Sequence, residues 1–102
     1  MKTSKLALLG FGNVGQAFAR LLMRKADQLE ADYGIQTLVT AIATGSRGRA
    51  INAAGIDLQA ALDLIEAEEP LDALSTQPAP TDNIAFIRAS GADVLFENTP
   101  VS

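Results

Sequence analysis

Six consecutive residues carry the chemistry of this chain: Gly10-Phe11-Gly12-Asn13-Val14-Gly15. Three glycines in a G-x-G-x-x-G spacing suit a turn that must do three things at once. Gly10 permits a tight change of direction, Gly12 lets a diphosphate come up against bare main chain, and Gly15 allows a helix to lie close on a strand. The amide N–H groups that open the following helix then face the ligand, aided by the positive end of the helix dipole. The motif means little unless a strand precedes it and a helix follows. A glycine turn with no ligand is the plain alternative, but such a turn needs one glycine rather than three.

The flanking residues supply that context. Lys5–Leu9 is a short apolar run suited to a parallel strand buried on both faces. Val14, Ala17, Phe18, Leu21, Leu22 and Leu29 recur at helical spacing, which predicts a helix over Val14–Leu29 with Arg20, Arg24, Lys25 and Gln28 on its wet side. Gly34 fits the left-handed position after it. Gln36–Ala43 reads as a second strand, Thr44–Ala50 as a loop, and Asp57–Glu68 as a helix opened by Asp57. Pro70, Pro78 and Pro80 make Glu69–Pro80 a connector. Thr81 is the expected cap of a short helix, Asp82–Ser90, stopped by Gly91, and Ala92–Glu97 is a last strand.

Strand, helix, strand, helix, helix, strand is a Rossmann-type βαβαβ unit: half of a doubly wound, three-layer α/β fold, with expected strand order 3-2-1 and an open edge beside the first strand. Residues 1–102 form one such NAD(P)-binding domain on this reading, expected to be the amino-terminal part of a longer enzyme.

Two further sites lie at strand ends. An NAD-preferring site usually places an acid at the end of strand two for the adenosine 2′-hydroxyl. Here that strand runs into Thr44-Gly45-Ser46-Arg47-Gly48-Arg49, which has no acid. Thr44, Ser46 and Arg47 are the candidate contacts, Arg47 through a charge-assisted fork to a 2′-phosphate, and this tilts the expectation toward NADP over NAD. Beyond the last strand, Asn98 and Thr99 can hydrogen-bond a ribose or amide while Pro100 stiffens the backbone; an ordinary strand-end turn explains these residues equally well. Glu97 reads as a strand-end surface or hydrogen-bonding carboxylate and is assigned no chemistry.

Composition removes other classes. The chain has 102 residues, 48% of them hydrophobic and 20% charged, with no Cys and no His. Disulfide scaffolds, zinc fingers, thiol nucleophiles and His-based triads are excluded, and no metal site is expected. Aromatics at 5% and a net charge of −4 make a nucleic-acid partner a poor match. The charge is divided: residues 1–49 hold seven basic and three acidic residues, and 50–102 hold one and nine. An anion site therefore belongs in the first half. No apolar run approaches the roughly 20 residues that span a bilayer. Lys2, Lys5 and Ala17-Phe18-Ala19 mimic a secretion signal, but Gly10, Gly12, Asn13, Gly15 and Gln16 interrupt it, so the expected location is the cytoplasm.

Together, Lys5–Gly15, Ala41-Ile42-Ala43-Thr44-Gly45-Ser46-Arg47-Gly48 and Asp93-Val94-Leu95-Phe96-Glu97-Asn98-Thr99-Pro100 resemble the amino-terminal cofactor domain of homoserine dehydrogenase. The resemblance covers nearly the whole chain, and G-F-G-N-V-G combined with a strand-end E-N-T-P is its most specific part. It implies nicotinamide-dependent interconversion of aspartate 4-semialdehyde and homoserine, in the biosynthesis of threonine, methionine and isoleucine. It implies further that Phe11, Asn13 and Val14 line the pyrophosphate loop, that Ser46 and Arg47 lie near the adenosine ribose, and that Thr99 approaches the nicotinamide. The family's catalytic lysine and acidic substrate residues lie in a substrate and dimerisation domain, so a homo-oligomer is implied and no catalytic residue is expected here. Lys2, Lys5 and Lys25 do not match a crevice-facing strand end. A non-catalytic dinucleotide-binding or redox-sensing module is the rival reading.

Overall fold

The structure, a computed structural model, describes residues 2–98. Of the candidates drawn from the sequence, Thr99 and Pro100 lie outside the described residues.

Among the described residues, eight elements follow in order: strand β1 (Lys2–Leu9), helix α1 (Asn13–Tyr33), strands β2 (Ile35–Ala43) and β3 (Arg49–Ile51), helix α2 (Leu58–Glu66), a 3-10 turn (Leu71–Leu74), helix α3 (Asn83–Ser90) and strand β4 (Val94–Glu97). The side chains of β1 alternate between two apolar layers. Leu6 and Leu8 enter one with Phe11, Ala19, Leu22, Ala61, Leu62 and Leu71, contributed largely by α1, α2 and the 3-10 turn. Ala7 and Leu9 enter the other with Ala41, Ala43, Ile51 and Phe86 of α3. The sheet is thus covered on both faces, as its apolar strands require.

A bulge keeps β2 in step with this arrangement. Leu6 pairs with Val39 but Ala7 pairs with Ala41, so Thr40 is the extra residue. Val39 and Ile42, three apart, consequently share a face, which plain alternation forbids. The displaced backbone is satisfied locally: Asn52 N–H donates to the Thr40 carbonyl at 2.8 Å and Ile56 N–H to the Val39 carbonyl at 2.7 Å.

Helix ends follow their chemistry. α1 runs past the expected Leu29 to Tyr33, because termination waits for Gly34, whose φ of +63° supplies the left-handed cap. Asp57 accepts from Ala60 N–H at 3.1 Å and caps α2. In α3 the cap is Asp82, accepting from Ala85 N–H at 2.9 Å, and not Thr81 as expected. The carboxylate one residue later is the group that reaches the free N–H of the first turn.

The sheet order is β3-β2-β1-β4, with β1 parallel to both β2 and β4 and β3 antiparallel to β2. This corrects the expected 3-2-1 order. The chain turns back after Ala43 and lays Arg49–Ile51 along β2, occupying the place expected for the third parallel strand. That strand, β4, joins the other side of β1 after α3 has crossed the opposite face from α1. Over Leu6–Leu9, β1 is paired on both sides and has no open edge there. The outer side of β3 is blunted as well, since Ser75 Oγ accepts from Ile51 N–H at 2.9 Å and Thr76 N–H donates to the Ile51 carbonyl at 2.9 Å. Among the described residues β4 carries the exposed edge, with Val94 48% and Leu95 41% accessible.

Candidate functional site

Strands are added first on one side of β1 and then on the other, which opens a crevice at the carboxyl ends of β1 and β4, and the glycine turn sits there. Open α/β sheets bind ligands at such switch points. Gly10 has φ +111°, a conformation closed to other residues without strain, and its N–H donates to the Ala43 carbonyl at 2.9 Å, tying the turn to the end of β2. Phe11 is buried, so its side chain belongs to the core and only its main chain faces the turn.

The two later glycines behave differently. A Cβ at Gly15 would lie 2.8 Å from the Gly10 carbonyl oxygen and 2.9 Å from Asn98 Oδ1, so α1 can meet the strand ends only with glycine there. A Cβ at Gly12 would meet nothing within 4 Å. Gly12 is also the N-cap of α1, with no side-chain cap and no acid in the first turn. Bare amides, open space and a helix of 21 residues behind them fit an anionic group approaching the backbone. Asn13 and Val14 are exposed beside it.

Two braces hold the turn. Gln16 Nε2 donates to the Phe11 carbonyl at 3.0 Å. Asn98 Nδ2 donates to the Gly10 carbonyl at 2.9 Å, and Asn98 N–H donates to the Leu9 carbonyl at 2.9 Å. Asn98 therefore closes the glycine turn against the end of β4, while its Oδ1 is buried with no hydrogen-bond partner among the described residues. From its sequence position Asn98 is a ligand contact, and Gln16 is only a break in the apolar amino-terminal stretch. A polar residue on the first turn of an amphipathic helix looks like wet surface until the turn is seen to fold back on it. Phe18 of α1 stacks on Phe96 of β4, centroids 4.3 Å apart and planes within 9°, which fixes the helix beside the crevice.

The Thr44–Gly48 loop forms the neighbouring wall. Thr44 is its keystone: Oγ1 donates to the Gly48 carbonyl at 2.7 Å and accepts from Arg47 N–H at 2.6 Å. Ser46 is exposed at the tip. Arg47 directs Nη2 to Glu68 Oε1 at 3.6 Å, across a solvent-exposed pair of little energetic worth. Arg49 is engaged, donating to the Pro80 carbonyl at 3.2 Å and to Asn83 Oδ1 at 2.7 Å, with its guanidinium 5.1 Å from the Phe86 ring centre. Between this loop and the connector lies an open cleft of about 610 Å³. Thr44, Ser46, Gly48 and Arg49 line it together with Asp72 and Gln77. Arg47 does not line it.

Glu97 is the exposed last residue of β4, registered against Leu9 of β1. Lys2 and Lys5 lie in the amino-terminal half of β1, at the far end of the strand from the turn, and Lys25 Nζ donates to Gln28 Oε1 on the outside of α1. Among the described residues no cluster of His, Cys, Asp or Glu could hold a metal ion, and no helix is long and apolar enough to cross a membrane.

An open, mostly parallel sheet under helices, with a three-glycine turn at the end of an inner strand, is a Rossmann-like half-fold. No family model matches the chain. It is 33% identical over 95 residues to homoserine dehydrogenase of Methanocaldococcus jannaschii, a match covering 93% of this chain and 28% of that protein. It is 28% identical over 99 residues to NAD(+)-dependent homoserine dehydrogenase of Pseudomonas canavaninivorans, covering 97% of this chain and again 28% of the relative. The chain is thus similar to two homoserine dehydrogenases along nearly its whole length, and it spans little more than a quarter of theirs.

Proposed function

We propose that this chain is the dinucleotide-binding portion of a homoserine dehydrogenase, an oxidoreductase that interconverts L-aspartate 4-semialdehyde and L-homoserine. The observation that carries the reading is the contrast between Gly15, where a side chain has no room, and Gly12, where the space beside the uncapped start of α1 is open. The backbone N–H groups of Asn13, Val14 and Gly15 would hold a diphosphate, Gly12 would let it come close, and the loop after β2 would face the adenosine ribose. When bound, the nicotinamide supplies the hydride chemistry. The chain's own residues bind and orient. Asn98 and Gln16 keep the turn in shape rather than touching reacting atoms. The names of both relatives support the substrate, and one of them supports a nicotinamide dinucleotide.

Turnover is assigned to residues outside these 102, because none of the lysines here stands at the crevice. Titrating the chain with NADH and NADPH, followed by cofactor fluorescence, tests the reading. Saturable binding lost in Gly12→Val with an unchanged circular-dichroism spectrum is the expected result. Failure of the parent chain to bind either dinucleotide, or undiminished binding by Gly12→Val, overturns it. Reduction of NAD or NADP by homoserine with this chain alone would overturn the assignment of turnover elsewhere.

A further inference from the structure

The loop that closes β2 contains no acid, yet the folded cleft at its end contains one. Leu71 N–H donates to the Arg47 carbonyl at 2.8 Å, which docks the 3-10 turn on the Thr44–Gly48 loop. Asp72, the next residue, is thereby set over Gly48, and its Oδ1 occupies the space that a Cβ at Gly48 would need. Gly48 has φ +78° and also lacks a side chain, so both its backbone and its size admit the carboxylate. Asp72 lines the cleft with Ser46 and Thr44, and no side chain among the described residues donates to its carboxylate.

Neither arginine nearby forms an ion pair with it. Arg49 shares the cleft, but its two terminal nitrogens are engaged by Pro80 and Asn83. Arg47 is turned toward Glu68 and does not line the cleft. A ribose 2′-hydroxyl placed here meets a carboxylate with spare lone pairs, whereas a 2′-phosphate meets a like charge.

We propose that Asp72, contributed by the connector rather than by the end of β2, is the acid that recognises the adenosine 2′-hydroxyl, so that the cleft selects NAD(H) over NADP(H). The inference rests on the dinucleotide-binding reading above and reverses the preference suggested by Ser46 and Arg47 in the sequence. It places the selectivity residue outside the β2 loop, in a connector whose clearest sequence signals are prolines.

The test is a titration of the chain and of Asp72→Asn and Asp72→Ala with NADH and NADPH. Asp72→Asn keeps the shape over Gly48 while removing the charge. The parent chain is expected to bind NADH more tightly than NADPH. Both variants are expected to lose about tenfold toward NADH with NADPH unchanged or improved, the scale of one hydrogen bond to a charged group. Parent binding that favours NADPH, or equal losses for both dinucleotides in the variants, overturns the role of Asp72 while dinucleotide binding stands. If the parent binds neither, both the inference and the reading beneath it fall.

Discussion

At Gly12 and Gly15 the same residue type serves opposite ends, and substitution separates them. Gly15→Ala must push against the Gly10 carbonyl and Asn98. It is expected to destabilise the fold by about 1–3 kcal/mol, the range for overpacking, measured by urea unfolding. Gly12→Ala meets open space at an ordinary φ of −81°, and should cost no more than about 1 kcal/mol as a poorer helix cap. Its effect should appear in dinucleotide affinity instead. If Gly15→Ala proved as stable as the parent, the close approach of α1 to the strand ends would be wrong.

The helices and the glycine turn were legible because their signals are local. Gly34 and Gly91 do stop helices and Asp57 does open one; of the apolar residues spaced along α1, Leu22 is buried and Phe18 packs on the core, whereas Val14, Ala17 and Leu21 are exposed and Ala19 takes their place against the sheet. β3 was not legible. Arg49-Ala50-Ile51 is too short to show alternation, and its pairing depends on how Thr44 folds the preceding loop. The placement of Asp72 was hidden for a related reason: it follows from the Leu71–Arg47 hydrogen bond, between residues far apart in sequence. Capping gives a prediction at this scale. Asp82→Ala should destabilise by about 1 kcal/mol in thermal or urea unfolding, whereas Thr81→Ala should have little effect. Equal effects would mean that the cap is shared.

For the molecule as a whole, strand order was beyond the reach of hydrophobic pattern, which says which faces are buried but not which strands are neighbours. The structure moves the exposed edge from β1 to β4. Amides of β4 should therefore exchange with solvent faster than those of Leu6–Leu9 in a hydrogen-exchange measurement. Any self-association of the chain should weaken in Leu95→Lys, read by sedimentation, because a charge on an edge strand opposes edge-to-edge pairing. Slow exchange along β4 would show that this edge is covered in solution.

The bulge at Thr40 makes β2 a strand of two phases. Ahead of it and behind it, odd and even positions trade sides, so the chain counts residues there as strictly as a reading frame does. Deleting Thr40 would take out the extra residue and leave Val39, Ala41, Ile42 and Ala43 in plain alternation against Leu6, Ala7, Leu8 and Leu9, each on its present face, at the cost of the carbonyl that accepts from Asn52 N–H. An inserted residue between Ala41 and Ile42 would do more harm than the loss of Thr40, because it breaks an alternation that the bulge leaves intact.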